Sequence, residues 1–287
     1  MLRARNVWNL LKETVVSFID DGALSKGASM AFYAATSLTP ILLIVIAIGG
    51  LAFGKVAAQN ALVGQFESMM GHQSAEFLQS ALSNAASKSS GILATIIGAV
   101  TLAATASGVF GEMQSALNTI WKADPRGTTF SRLIRARAAS IGLVAALGFL
   151  LLVSLAVSAA VSALGDYVNS WFPFGKFFMS AVNAVISFAL ISVLFAAIYK
   201  VLPDRELEWR DVIVGAIGTS LLFEIGKSTV GWYIGTSAVA STYGAAGALI
   251  VILLWIYYSS QIFLLGAEFT KAYASFRERD RAQTPSI

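Results

Sequence analysis

The residues in this chain that could do chemistry are a few charged and amide side chains inside otherwise apolar segments. Glu224 and Lys227 lie three residues apart, so a helix places them on one face, where they partly neutralise each other. A charge at the centre of a bilayer costs about 2.5–3.5 kcal/mol even on insertion-based scales, so such groups should face protein or water. The alternative for this pair is an internal ion pair that only holds the bundle together. We predict an interior polar path lined by Glu224, Lys227, Glu112, Glu268, Asn183 and Gln261.

Polar residues recur at helical spacing in four apolar segments, which predicts four polar stripes. These are Thr101, Thr105, Gly108 and Glu112; Ser180, Asn183 and Ser187; Ser220, Glu224, Lys227 and Gly231; and Tyr257, Gln261 and Glu268. The stripes should turn toward a shared interior, which either holds a hydrated cavity or is closed by interhelical hydrogen bonds worth about 0.6–2 kcal/mol each. Pro40 removes a backbone donor and frees the carbonyl of Thr36, so the helix there is either simply bent or hinged.

Several classes of catalytic site are excluded by residue types. The chain has no cysteine and one histidine, His72, which removes thiol chemistry, Cys-ligated metals and multi-His metal sites. It also lacks a Gly-x-Ser-x-Gly elbow, a Walker A loop and a His-Glu-x-x-His motif. We therefore expect no enzyme, no cofactor and no bound metal.

The elements that must position these residues are six apolar runs, each long enough to cross a bilayer core about 30 Å thick. They are Ala28–Phe53, Ile92–Phe110, Ala138–Leu164, Phe178–Tyr199, Val212–Ile234 and Ala245–Ala267. The composition agrees, with 56% hydrophobic and 13% charged residues and a mean hydropathy of +0.71. About 27 polar or amphipathic residues precede the first run and no cleavage pattern follows it, so we expect it to be retained rather than cleaved as a signal peptide.

The basic residues are distributed unevenly between the two sides that these spans define. One side holds Arg3, Arg5, Lys12, Lys26, Lys122, Arg126, Arg132, Arg135, Arg137, Lys200, Arg205, Arg210, Lys271, Arg277, Arg279 and Arg281, and the other holds Lys55, Lys88 and Lys176. This is the positive-inside pattern, so both termini should be cytoplasmic and the net charge of +4 does not indicate a nucleic-acid partner. The fold class predicted is an all-α polytopic membrane protein, a bundle of six transmembrane helices.

The predicted layout has a cytoplasmic amphipathic segment (1–27), a transmembrane domain (28–270) and a cytoplasmic basic tail (271–287). In the first, Trp8, Leu11, Val15 and Phe18 predict a helix that either lies on the inner leaflet or packs against the ends of the spans. The outer segment (54–91) should form amphipathic helices broken near Gly71 that rest on the membrane or cap the bundle. The uncharged stretch Gly235–Gly244 is either a re-entrant segment or a short flexible turn.

Three stretches resemble the YihY/BrkB family of bacterial inner-membrane proteins, older members of which were labelled ribonuclease BN. They are Ala31-Phe32-Tyr33 through Ser37-Leu38-Thr39-Pro40, Ala116-Leu117-Asn118-Thr119-Ile120-Trp121, and Tyr243-Gly244 through Trp255-Ile256-Tyr257 to Gly266-Ala267-Glu268. The resemblance implies six helices with cytoplasmic termini, multi-pass insertion in the inner membrane and an association with envelope integrity. A nuclease activity disagrees with the residues, since phosphodiester hydrolysis usually needs a metal cluster or a His-based acid and base.

Two functions follow as expectations. The first is a transporter or lipid-handling protein of the cell envelope, with membrane lipids and an unidentified solute or lipid as its partners. The second is a non-transporting membrane scaffold or partner in envelope assembly. The polar stripes and the Glu224/Lys227 pair motivate the first, and the long amphipathic outer segment motivates the second.

Overall fold

A computed structural model of the protein describes residues 4–88, 108–123, 153, 175–236 and 239–283. Within these ranges all regular elements are helices, which confirms the all-α prediction for this part of the chain. The helices are α1 (Ala4–Asp20), α2 (Ala23–Phe53), α3 (Lys55–Met70), α4 (His72–Lys88), α5 (108–120), α6 (Gly175–Val201), α7 (Trp209–Thr236) and α8 (Val239–Gln283).

Three helical segments in the described ranges are long and apolar enough to cross a membrane: Ser180–Val201, Trp209–Val230 and Ala246–Arg281. They coincide with the fourth, fifth and sixth spans expected from the sequence, and the first expected span lies within α2. The second and third, Ile92–Phe110 and Ala138–Leu164, fall largely outside the described residues. The count of six spans and the orientation of the termini therefore stay predictions.

Helices α6, α7 and α8 meet around a buried tyrosine. The Tyr199 hydroxyl donates to the carbonyl of Phe263 at 2.7 Å and lies 3.0 Å from the Thr219 hydroxyl. Gly266 makes this approach possible, because a Cβ there would lie 1.9 Å from Thr219 Oγ1. Small residues let helix backbones approach closely where lipid provides no hydrophobic drive for association. The sequence had assigned none of these residues to the core.

Helices α3 and α4 cover one end of the bundle. They separate at Gly71, whose φ of +82° suits a residue without a side chain, so the predicted break is observed. Leu62, Leu78 and Leu82 are buried against α2, and Met70 is buried against Trp255 of α8. The described part of this segment thus packs on α2 and α8, and whether it also rests on the membrane stays a prediction.

Helix α1 has two different sides. Leu10 and Thr14 are buried, whereas Trp8 is 68% exposed and Ile19 63% exposed. Val7, Leu11, Val15 and Val16 add to this exposed apolar side. The helix contacts α8, as in the second placement, and its exposed apolar side also suits the inner leaflet, so the choice between the two placements stays a prediction.

Helix α8 is longer than the sequence indicated. It begins at Val239 and ends at Gln283, so it includes most of the expected turn Gly235–Gly244 and most of the expected tail. A helix satisfies its own backbone groups in lipid, which favours continuing α8 through the Gly/Ser/Thr-rich stretch. Its 45 residues span about 68 Å at 1.5 Å per residue. Ile252, in the cluster with Met70 of α3, and Glu278 are separated by about 39 Å along this axis, more than the thickness of a bilayer core.

One prediction concerns the junction of α3 and α4, where His72 Nδ1 lies 2.8 Å from Glu67 Oε1. This hydrogen bond raises the pKa of His72 above its ordinary value. The pair therefore stabilises the fold fully at a pH below that ordinary pKa, and the stabilisation is lost as the pH rises through the folded-state pKa. We expect Glu67→Gln to lower the pKa of His72, measured by NMR titration of the chain's single histidine. Glu76→Gln is the control, since Glu76 acts on His72 only through a weaker charge interaction. An unchanged titration in Glu67→Gln would contradict the pairing.

Candidate functional site

The predicted pair on α7 is present. Lys227 Nζ donates to Glu224 Oε1 at 2.6 Å, and the two side chains are 35% and 43% exposed respectively. Gly226, between them, contacts α8, because a Cβ there would lie 2.2 Å from the hydroxyl of Tyr258. The pair therefore lies beside a close α7–α8 contact without being enclosed, and its role in a path stays a prediction.

Two other predicted residues, Gln261 and Glu268, lie on the side of α8 that faces the junction between α1 and α2. Gln261 Nε2 donates to the carbonyl of Leu24 at 3.3 Å. A Cβ on Gly27 would lie 2.1 Å from the same nitrogen, so glycine is needed for this contact. Gln261 thus holds the beginning of α2 against α8.

Glu268 is fully buried, and neither of its carboxylate oxygens accepts a hydrogen bond from a described residue. Its cationic neighbour is Lys271, whose Nζ lies 3.5 Å from Glu268 Oε2 and 3.3 Å from Asp21 Oδ2. Asp21 belongs to the turn between α1 and α2, next to Gly22 with its φ of +67°. One ammonium therefore serves two carboxylates, which leaves the buried one poorly compensated.

The remaining predicted residues lie elsewhere in the bundle. Glu112 is half-buried on α5, and Asn183 is half-buried on α6, where it has a polar interaction. Pro40 lies inside α2, which continues as a helix on both sides of it. Thr101 and Thr105 are outside the described residues. The structure thus forms two separate groups. Glu224 pairs with Lys227 on α7, and Gln261 and Glu268 share one face of α8. The described residues show no contact between the two groups.

The two groups also lie at different levels. Tyr258, which touches α7 at Gly226, is ten residues from Glu268 along α8. That separation corresponds to about 15 Å. The α7 pair is therefore closer to the middle of α8, and Glu268 is closer to its C-terminal end.

A second ionic cluster, which the sequence had not indicated, joins α8 to the beginning of α7. Arg277 donates to Asp211 Oδ2 at 2.8 Å and also to Glu208, and Arg281 lies 3.5 Å from Glu208. The Arg277 hydrogen bond holds the pKa of Glu208 below its ordinary value. The sequence signal was the spacing of Glu208 and Asp211, three residues apart at a helix start, but nothing local identified Arg277 as their partner.

Beside Glu268 and Lys271 there is a polar cleft of about 330 Å³. It lies between α1, the residues that follow α5, the α6–α7 connection and the last part of α8. Its lining includes more cations than carboxylates. The polar lining residues are Glu13, Ser17, Trp121, Lys122, Arg205, Lys271, Ser275, Glu278 and Arg279.

The cleft wall is held by contacts between α5 and the α6–α7 connection. Asn118 donates to Asp204 Oδ2 and accepts from the Asp204 backbone, both at 2.8 Å. Arg205 donates to the carbonyl of Trp121 at 3.1 Å, and its guanidinium lies 5.9 Å from the centre of that ring. These contacts join residues more than 80 positions apart, so they fix Trp121 and Arg205 relative to each other. Lys271 lines the cleft and also lies 3.5 Å from Glu268, so this lysine connects the cleft to the buried carboxylate behind it.

Comparison with known proteins gives a consistent result. A family model described as Virulence factor BrkB matches residues 14–286. A UPF0761 membrane protein of Rhodospirillum centenum is 24% identical over 274 residues, which cover 93% of this chain and 58% of that protein.

Two further relatives carry the same description. The UPF0761 membrane protein of Alkalilimnicola ehrlichii is 26% identical over 90% of this chain and 57% of its own length. That of Alcanivorax borkumensis is 28% identical over 95% of this chain and 62% of its own length. The chain therefore spans about three fifths of the length of these relatives. No solved structure matches.

The ionic cluster gives a stability prediction. Asp211 and Arg277 are 6% and 11% exposed, so Arg277→Met leaves a buried carboxylate without its cation and should destabilise the fold by about 3–5 kcal/mol. Arg281→Met is the matched control, since that arginine is 59% exposed and its removal should cost only about 0–1 kcal/mol. Unfolding in detergent, followed by intrinsic fluorescence, compares the two. Equal stabilities would show that the Arg277 contacts do not hold α7 to α8.

Proposed function

This chain belongs to the Virulence factor BrkB family, and from that premise and the geometry of the cleft we propose that it is a transporter or lipid-handling protein of the bacterial cell envelope. The assignment to a membrane rests on the relatives named above, which are all described as membrane proteins. The transport role is supported by the buried carboxylate of Glu268, which pairs with the cleft-lining Lys271.

Glu268 is the observation that carries the proposal. A buried ion pair contributes little net stability, and its replacement by apolar residues of similar size is often neutral or stabilising. A fully buried carboxylate with one shared cation at 3.5 Å therefore adds little to the stability of the fold. Ionisable residues kept inside membrane helices commonly mark proton or ion pathways, and we assign Glu268 such a role.

Lys271 couples the cleft to the Glu268 carboxylate. Lys271 faces the cleft on one side and pairs with Asp21 and Glu268 on the other. A negatively charged group that enters the cleft competes for this ammonium. When Lys271 pairs with that group, Glu268 loses the one cation that lies near it among the described residues, and it must take up a proton or a small cation. Binding of a substrate charge is then linked to uptake of an ion of opposite sign.

The pair on α7 extends the proposal toward the middle of the bundle. Glu224 and Lys227 flank Gly226, which touches α8 at Tyr258, about 15 Å along α8 from Glu268 toward the α8 N-terminus, and neither side chain is enclosed. We assign them to a later position on the same path, where their mutual ion pair lowers the cost of two charges in a membrane helix. Pro40 is the hinge candidate in α2 that could let the path open.

A scaffold in envelope assembly is the second candidate, and the α3–α4 unit favours it. The two helices form a folded surface on one end of the bundle, with apolar contacts on the inside and polar residues such as His72, Glu67 and Gln73 exposed. Such a surface suits a protein partner. Crosslinking from single cysteines in α3 and α4 would recover that partner in stoichiometric amounts if scaffolding is the function.

The experiment that tests transport compares Glu268→Gln with the Glu224→Gln/Lys227→Met double variant. In cells that lack the native protein, each is scored for growth under detergent stress. In proteoliposomes, each is scored for transbilayer movement of a fluorescent phospholipid. We expect Glu268→Gln to fold at least as stably as the parent, because it removes a buried charge, and to lose most of the activity in both assays.

Glu76→Gln, on the exposed surface of α4, is the control and should behave like the parent. Full activity of a well-folded Glu268→Gln would show that the buried carboxylate has no role in transport. Full activity of the double variant would show that the Glu224/Lys227 pair has none.

A further inference from the structure

The cations that line the cleft differ in whether a described carboxylate pairs with them. Lys271 is paired with Asp21 and Glu268, and Arg279 lies 3.5 Å from Glu13. Lys122 and Arg205 make no ion pair with any carboxylate in the described part of the chain, although both face the same cleft. Two cations from different chain segments thus line one cleft, and neither has an acidic partner among the residues that the structure describes.

The backbone of Lys122 gives an independent reason to assign it a function. The amide of Ala123 donates to the carbonyl of Asn118 and the amide of Lys122 donates to that of Thr119, which is the Schellman arrangement that ends a helix. Lys122 occupies the left-handed position of this motif, with a φ of +48°, where glycine is the favoured residue. A lysine at this position is tolerated at a cost in backbone strain, and it delivers an ammonium to the cleft.

Arg205 is presented in a form that suits a polyoxyanion. One of its guanidinium nitrogens is held by the Trp121 carbonyl, and the plane is kept near the Trp121 ring. The remaining donors keep the fork geometry that matches phosphate oxygens. The Trp121 indole nitrogen, in the same wall, is buried and has no hydrogen-bond partner in the described chain.

We propose that this cleft binds a phosphate group, with Lys122 and Arg205 as its principal ligands and Ser17 and Ser275 as neutral donors. Cations from three chain segments surround one volume, which fits a tetrahedral group with several charged oxygens better than a planar carboxylate. The source of the phosphate is either a lipid headgroup or the free anion. The inference names the substrate class of the proposed function and rests on it for the membrane setting, but binding is measurable without transport.

The position of the cleft favours access from the membrane surface. Val201 ends α6 and Trp209 begins α7, and both side chains are more than half exposed next to Arg205 and the Glu208–Arg277 cluster. Tryptophan at a helix end commonly lies at the headgroup level of a bilayer. A phospholipid headgroup at that level lies within reach of the cleft.

The test uses the full chain in nanodiscs and two probes. Inorganic phosphate is titrated calorimetrically in phosphatidylcholine discs, and retention of phosphatidylglycerol from mixed discs is counted by native mass spectrometry. Lys122→Gly is the informative variant, because glycine is favoured at that backbone position and the fold should be as stable or more stable. Lys122→Asn, which also tolerates the left-handed region, is the second variant. Lys12→Gln, an exposed cation of α1 outside the cleft lining, is the matched control.

We expect Lys122→Gly and Lys122→Asn to weaken binding of at least one probe by about tenfold, the effect of losing one charge-assisted contact. If only phosphatidylglycerol binding depends on Lys122, the source of the phosphate is the lipid headgroup. If binding of inorganic phosphate depends on Lys122, the cleft recognises the phosphate group itself. The inference is overturned if neither probe responds to Lys122, or if Lys12→Gln has the same effect. Lys122-dependent binding in a protein that moves no lipid would leave this inference standing and count against the proposed function.

Discussion

Lipid solvates neither charges nor backbone polar groups, and this constraint organises the described part of the molecule. Helices satisfy the backbone, and four cations near the α8 C-terminus, Lys271, Arg277, Arg279 and Arg281, make ionic contacts with residues from other parts of the chain. Arg277 joins α8 to Asp211 of α7, and Lys271 joins it to Asp21 of the α1–α2 turn. Glu268 differs from these residues, since it is fully buried and, in the described part of the chain, shares its one near cation, Lys271, with Asp21. That imbalance is the basis of the proposed transport role.

Helix α8 is the common element of this arrangement. It contacts α1, α2, α3, α4 and α7 and carries both the tyrosine contact near Phe263 and the ionic contacts near its end. With α3 and α4 at one level and the cleft about 39 Å away, the helix is long enough to connect two surfaces of a bilayer. Helix α1 packs its buried side on α8 and leaves Trp8 and Ile19 exposed, which places an apolar surface beside the cleft.

The sequence predicted those features that depend on local spacing. The break at Gly71, the amphipathic α1 and the Glu224/Lys227 pair follow from glycine, from apolar periodicity and from a separation of three residues. It did not predict Lys271 with Asp21 or Asn118 with Asp204, because these partners are far apart in the chain and meet only when particular helices become neighbours. The sequence did not predict the length of α8, because its apolar run stops near Ala267. The following Ala, Glu and Arg residues favour helix and continue it to Gln283, where the basic side chains form ion pairs.

We propose that the cleft and the α3–α4 unit lie on opposite sides of the membrane, with the cleft on the cytoplasmic side. The chain has no cysteine, so Glu278→Cys in the cleft and Gln73→Cys on α4 each provide a unique thiol. A membrane-impermeant maleimide should label Glu278→Cys only in inside-out vesicles and Gln73→Cys only in spheroplasts. Labelling of both positions from the same side would contradict the account.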